Sequence, residues 1–298
     1  MKLHQLQALV GAVEHGSIRA AARAMHLTQA ALTKSLRQLE EDAGVALLLR
    51  QSRGVVLTEA GQRLHARAQL VTRQIALAQD DLRQSRGDEE GQVRAGLTPY
   101  LMLMVLGETF RWFRKRYPRV ELRLMEGLLT RVMPALRDGS LDFAIVATSG
   151  EVSSQEFDVT HLQQHPQVLA VRDGHPLLQQ MPDALALCAL EWVLPGPLAL
   201  GMDKATGAMF TGAGAQPPVQ ITRCDALAAM ALVRQSDAVC VMPEPLLGQA
   251  ESQGLLPLTL RTLTPPPVKL VQLSRPEVPL TPAAAYFARC LGDALRQA

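Results

Sequence analysis

Between Thr28 and Leu39 the chain reads Thr-Gln-Ala-Ala-Leu-Thr-Lys-Ser-Leu-Arg-Gln-Leu. Wound into a helix at about 100° per residue, Leu32, Leu36 and Leu39 fall on one side. Gln29, Ala30, Thr33, Lys34 and Arg37 then fall on the other. That second side is small, polar and cationic, with no acid until Glu40. It suits the floor of a DNA major groove, where Gln and Arg pair with base edges and Thr and Lys reach methyls or phosphates. Taken alone, such a pattern more often means a solvated helix face. The neighbouring elements decide between the two.

Upstream, Leu3, Leu6, Leu9, Val10 and Val13 recur at helical spacing. Gly16 and Ser17 then supply a stop and an N-cap for a short alanine-rich helix, Ile18 to Met25. His26-Leu27 separates it from the third helix, which Thr28 caps and Gly44 ends near Ala43. Three helices joined this tightly predict a helix-turn-helix. Residues 45–58 read as two short β-prone runs around Gln51-Ser52-Arg53-Gly54. A hairpin there is a wing, placing Arg50 and Arg53 where wings touch phosphates. From Thr58 a long helix runs to about Ser85, with Leu64, Ala68, Val71, Ile75, Ala78 and Leu82 in a heptad seam. The alternative is a helix packed on its own domain, but so narrow a seam suits pairing with a second copy better.

Arg86 to Gly91 breaks the pattern as a hinge, and short strands then alternate with helices. Val93–Leu97, a helix from Pro99 to Arg116, Val120–Leu124, a helix around Leu128–Arg137 and Phe143–Ala147 form a βαβαβ series. This order implies a parallel sheet covered by helices. The rhythm resumes with strands near Trp192–Leu194, Val219–Thr222 and Ala238–Met242 and helices near Ala205–Phe210, Ala226–Val233 and Pro245–Ser252. Interruptions near 163–167 and 262–267 read as crossings between two α/β lobes. A last helix, Pro282 to Leu295, is expected to return to the first lobe with Phe287, Leu291 and Leu295 buried. Open α/β sheets bind ligands beyond the carboxyl ends of their strands, where helix N-termini offer free N–H groups. That rule nominates Thr98, Pro99, Tyr100 and Leu101 at the first strand end and Gly127, Leu128, Leu129 and Thr130 at the second. Ala147, Thr148 and Ser149 follow at the third, with Leu200, Gly201, Met202 and Asp225 in the second lobe. Three threonine-bearing ends point to a small organic anion such as an aromatic carboxylate or sulfonate. Thr98 could equally be a plain cap, and an aspartate in the place of Asp225 is more often a cap than a ligand contact.

Composition narrows the classes. Among 298 residues the net charge of +2 splits into +3 for residues 1–58 and −1 for the remainder. Only the N-terminal piece is basic, in keeping with a polyanion partner. The chain shows neither the apolar run a membrane span needs nor a secretory leader, so a cytoplasmic address is expected. Cys188, Cys224, Cys240 and Cys290 form no CxxC pair and read as reduced, mostly buried thiols. A redox switch through Cys224 and Cys240 is disfavoured because Cys240 lies inside an apolar run. His161, His165 and His175 have no carboxylate or cysteine at ligand spacing, so no metal is expected. Phosphate-loop, GxGxxG and GxSxG signatures are missing where a strand meets a helix, so neither an enzyme nor a cofactor is expected. The competing reading is a two-lobed solute-binding protein, which leaves the Gln29/Thr33/Arg37 face unexplained.

Gly16-Ser17, Ala20-Ala21-Ala22, Leu27 to Thr33, Leu39-Glu40, Gly44-Val45, Arg50, Leu57-Thr58 and Ala60-Gly61 together resemble the winged-helix signature of the LysR-type transcriptional regulators. Phe113 to Pro118, Glu126-Gly127, Gly139 to Ile145 and Gly174 to Leu177 are similar to that family's effector domain. Ala30 stands where many members carry proline, Leu48 where an aromatic is common and Leu129 where Ser or Thr is frequent. The resemblance implies an α/β multidomain chain. Residues 1–58 would be a winged helix-turn-helix that places Ser17, Thr28, Gln29, Ala30, Thr33, Lys34, Arg37, Arg50 and Arg53 at double-stranded DNA. Residues 59–90 would be the linker helix and hinge, and 91–298 a two-lobed effector-binding domain of periplasmic-binding-protein type. Its lobes would span about 91–163 with 267–298, and about 164–266. The resemblance further implies a homotetramer on promoter DNA, a small-molecule effector and RNA polymerase as a candidate partner.

Overall fold

The computed structural model describes residues 1–51, 54–195, 202–260, 263–276 and 278–297, without the side chains of 50, 51 and 202–206. The chain forms two compact units, one whose continuous part is Met1–Asp88 and one comprising Glu89–Leu136 and Leu141–Ala298.

The first unit opens with α1 (Leu3–Glu14), α2 (Ile18–Ala24) and α3 (Gln29–Ala43). Ser17 caps α2 by accepting the Ala20 N–H at 3.1 Å, and Thr28 caps α3 by accepting the Ala31 N–H at 3.1 Å. Gly44, at φ 69°, ends α3 in the left-handed conformation that glycine adopts without strain. Leu32, Leu36 and Leu39 are buried with Leu6, Leu9, Ala21, Leu47 and Ala68 in one core. On α1 the buried face is Gln5, Leu6, Ala8, Leu9 and Ala12. Val10 and Val13 are only part-buried.

The hairpin β1 (Leu48–Gln51) and β2 (Gly54–Leu57) pairs antiparallel as expected. Gly54 has φ 114°, and a Cβ there would lie 2.7 Å from the Gly16 carbonyl oxygen. That carbonyl accepts the Val55 N–H at 3.0 Å, tying the hairpin to the α1–α2 turn. The helix α4 (Glu59–Ser85) starts at Thr58, whose hydroxyl accepts the Gly61 N–H at 3.0 Å. Leu64 and Ala68 of its seam pack into the first unit's own core. Val71 and Leu82 are 43% and 60% exposed.

The second unit runs β3 (Gln92–Leu97), α5 (Pro99–Arg116), β4 (Glu121–Glu126), α6 (Leu129–Arg137), β5 (Phe143–Thr148) and β6 (Asp158–His165). It continues through β7 (Gln167–Arg172), α7 (Ala184–Cys188), β8 (Trp192–Pro195), α8 (Met202–Gly212), β9 (Ile221–Cys224) and α9 (Ala226–Gln235). The last elements are β10 (Val239–Pro243), β11 (Leu255–Pro257), β12 (Val268–Ser274) and α10 (Pro282–Gln297). One sheet has the order β4-β3-β5-β12-β6 and the other β11-β7-β10-β8-β9.

The parallel strands are those the βαβαβ reading predicted, but each sheet also contains one reversed strand, β12 or β7, which pairs antiparallel on both sides. Four strands, β6, β7, β11 and β12, flank the crossings between the sheets. β6 passes straight into β7 at Pro166, so the first crossing is extended chain, with Pro166 the only residue between the two strands. The segment from Pro245 to Ser252, expected as a helix, is two short 3-10 turns. The strand expected at Val219–Thr222 begins at Ile221, with Val219 exposed. α10 lies against α5 and β3 with Phe287, Leu291 and Leu295 buried. One apolar cluster runs through both sheets, joining Leu97, Tyr100 and Ile145 to Ala229, Met230 and Cys240.

Candidate nucleic-acid interface and ligand cavity

In the first unit Gln29, Ala30, Thr33, Lys34 and Arg37 are all exposed along α3, opposite its buried leucines. The Thr33 hydroxyl donates to the Gln29 carbonyl at 2.8 Å. Thr28 and Ser17 spend acceptor lone pairs on their caps and keep the hydroxyl hydrogen. The Arg50 side chain and the whole of Arg53 fall outside the described residues. One residue that the spacing did not single out holds the arrangement together. Glu40, on the last turns of α3, accepts the N–H groups of Leu47 at 2.8 Å and Leu48 at 3.0 Å. α3 and the β1–β2 hairpin are thereby joined through one carboxylate. A helix-distance acid followed by a β-run was the available signal.

In the second unit the strand ends enclose a cavity of about 170 Å³. Of the predicted residues, Thr98, Pro99, Tyr100, Leu128, Leu129 and Thr148 line it, as do Gly127, Ala147 and Ser149 at the same strand ends. Three predicted residues do not. Leu101 is turned into the core and fully buried, two residues around α5 from Pro99. Thr130 faces solvent one step beyond Leu129. Asp225 is exposed and caps α9, accepting the Ala228 N–H at 2.8 Å. Leu200 and Gly201 lie outside the described residues, as does the side chain of Met202.

The wall from the second sheet was missed: Pro195 from β8, Ala229 and Met230 from α9, and Cys240, Met242 and Leu246 at and beyond β10. The strand-end rule, applied to β8 and β10, was the signal that could have found them. Gly127 fixes the opposite wall. Its N–H donates to the Leu97 carbonyl at 2.7 Å, and a Cβ there would lie 2.6 Å from Leu97 C and 2.7 Å from Thr98 N. Only glycine lets β3 and β4 end this close together.

The polar groups of the wall differ in what they have left to offer. Thr98 occupies the N-cap of α5, yet its side chain makes no capping bond. Thr148 closes on its own loop instead, accepting from the Gly150 N–H and donating to the Gly150 carbonyl, both at 3.1 Å. The Tyr100 hydroxyl and the Ser149 Oγ are buried without a hydrogen-bond partner among the described residues. Burial pushes the Tyr100 phenol up, so it stays a protonated donor. Burial likewise pushes the Cys240 thiol up to about 12. Glu126 is the one formally charged side chain among the described lining residues. Its carboxylate lies 3.8 Å from Arg131, which is mostly exposed.

His175 has a structural task. Its Nδ1 accepts the Leu177 N–H at 3.1 Å and its Nε2 lies 3.2 Å from the Asp237 carbonyl. Among the described residues no group of His, Cys, Asp and Glu is placed to hold a metal ion. No helix among them is long and apolar enough to cross a membrane.

A winged helix-turn-helix in one unit and a cavity between two α/β sheets in the other define a ligand-responsive regulator class. Residues 3–62 match the bacterial regulatory helix-turn-helix proteins of the lysR family, and residues 86–296 match the LysR substrate binding domain. This chain belongs to the LysR family, whose members are transcriptional regulators and not enzymes. The HTH-type transcriptional regulator TdcA of Escherichia coli (strain K12) is 29% identical over 188 residues, 61% of this chain and 58% of TdcA. The DNA-binding transcriptional dual regulator OxyR of the same strain is 31% identical over 176 residues, 59% of this chain and 57% of OxyR. The match thus spans less than two thirds of those relatives' length. The crystal structure of full-length CbnR complexed with the target DNA aligns with a TM-score of 0.69 and 22% identity, covering 99% of this chain and 100% of that one. At that identity the likeness is one of fold.

Proposed function

We propose that this chain is a DNA-binding transcriptional regulator whose grip on promoter DNA is set by a small organic effector held between the two sheets of its second unit. One observation carries the reading. A single chain pairs an exposed, acid-free α3 face of Gln29, Thr33, Lys34 and Arg37 with an apolar cavity built from strand ends. A ligand that favours one arrangement of the sheets shifts the population by that difference in affinity, without catalysis.

The division into 1–58, 59–90 and 91–298, with the wing's Arg50 and Arg53 on phosphates, belongs to this proposal. So does pairing of two copies along α4, which the exposed Val71 and Leu82 support. A homotetramer in the cytoplasm, with RNA polymerase as a further partner, completes it. For the effector, an anion such as an aromatic carboxylate or sulfonate is supported by three helix N-termini, of α5, α6 and α9, at the cavity. Glu126 in the wall weighs against it.

The test is fluorescence anisotropy against the promoter DNA beside the protein's own gene, at two salt concentrations. We expect sequence-selective binding that weakens steeply with salt. Arg37→Ala should weaken specific binding more than non-specific binding, whereas Arg53→Ala should weaken both. No preference over a scrambled duplex would overturn the reading.

A further inference from the structure

The cavity carries a statement about ligand class that the strand-end rule does not contain. A dry apolar cavity of about 150 Å³ holds a benzene ring. The cavity here, at about 170 Å³, takes one ring and a short substituent. Met230, Cys240, Met242 and Leu246 give it apolar walls. Its polar side offers neutral groups: the uncommitted Thr98 hydroxyl, with the partnerless Tyr100 and Ser149 hydroxyls in the wall. The Cys240 thiol and the Tyr100 phenol both stay protonated, so neither adds charge. The formal charge in the described wall is the Glu126 carboxylate, whose ion pair with the mostly exposed Arg131 at 3.8 Å is screened by solvent and offsets it only in part. A like charge brought beside it in a partly desolvated site is disfavoured by about tenfold or more. The free N–H groups at the helix N-termini, for their part, donate to any oxygen lone pair, charged or not.

On these grounds, and resting on the effector-control reading above, we propose that the effector is an uncharged single-ring molecule bearing one hydrogen-bonding polar group. Glu126 acts as the specificity-determining residue that rejects the anion of the same shape.

Three probes of nearly identical shape separate the possibilities: benzamide, which is neutral, benzoate, which is anionic, and benzamidine, which is cationic. Calorimetric titration of the full chain should show benzamide binding about tenfold more tightly than benzoate. Glu126→Gln should raise benzoate affinity by at least about fivefold and leave benzamide within about twofold. Ala229→Phe, which fills the cavity, should abolish benzamide binding in a chain that still unfolds cooperatively. Benzoate or benzamidine binding as tightly as benzamide to the wild type would overturn the proposal. So would an unchanged benzoate affinity in Glu126→Gln, or benzamide still binding to a folded Ala229→Phe variant. Failure of all three probes, with selective promoter binding intact, would overturn this ligand class and leave the regulator reading standing. Loss of promoter selectivity in the wild type would sink the regulator reading itself.

Discussion

Gly127→Ala tests the geometry of the cavity wall most directly. The added methyl would meet Leu97 C at 2.6 Å, Thr98 N at 2.7 Å and Leu97 N at 2.9 Å, all backbone atoms with no rotamer to yield. Relief requires moving the end of β4 away from β3, which lengthens the 2.7 Å bond from the Gly127 N–H to the Leu97 carbonyl. Overpacking of this kind costs about 1–3 kcal/mol, and a weakened backbone hydrogen bond about 1 kcal/mol more. The sum is about 2–4 kcal/mol, or a fall in Tm of about 5–15 °C for a unit of this size. Gly107→Ala is the internal control. Gly107 lies within α5, with nothing within 4 Å of an added Cβ. Alanine there should stabilise by about 0.5–1 kcal/mol through helix propensity. Thermal denaturation of both variants beside the wild type reads the two signs at once. If Gly127→Ala melted within about 2 °C of wild type, the close approach of β3 and β4 would not constrain the fold as argued.

Three further outcomes are expected. Glu40→Ala removes the acceptor shared by the Leu47 and Leu48 N–H groups and should cost about 1.5–3 kcal/mol in chemical denaturation. It should also weaken promoter binding through the wing, and an unchanged denaturation midpoint would refute the clamp. Burial holds the His65 and His165 imidazoles below their ordinary 6.5, so folding favours the neutral ring. The unfolded chain therefore takes up protons first as the pH falls. Stability contributed by these rings is full above about pH 6.5 and is lost below it. Denaturation at about pH 7.5 and about pH 5.5 should show the drop, and His165→Phe should shrink it; an equal drop in the variant would contradict the assignment. Finally, the Cys240 thiol, buried and pushed up to about 12, should resist alkylation in the native chain and react only on unfolding. Prompt native labelling would show that the cavity wall is not closed at β10.

The winged helix-turn-helix was legible almost residue by residue because its signals are local. Ser17 and Thr28 cap within three residues, Gly44 stops α3 at a positive φ, and the leucines of α3 repeat at helical spacing. The parallel strands of the second unit were legible for a similar reason, since Val93, Ala95 and Leu97 alternate and are all fully buried. β6 escaped notice. Its sequence, Asp-Val-Thr-His-Leu-Gln-Gln-His, lies at a sheet edge where one face stays wet, so it carries little apolar patterning.

The candidate site divides along the same line. Sequence by itself determined that strand ends bearing Thr98, Leu128, Leu129 and Thr148 would meet helix N-termini, because strand, turn and cap are written in neighbouring residues. It also determined which face of α3 is free, because the period of the helix does so. Tertiary structure alone decided that Thr98, at the N-cap of α5, is left uncommitted. It alone brought Met230, Cys240 and Leu246 opposite Tyr100 and made Glu126 the charge in the wall. Those pairings join residues more than a hundred positions apart, and they are set by which sheet each crossing strand enters. That choice rests on the burial of whole faces summed over both sheets, a quantity no local stretch of sequence contains.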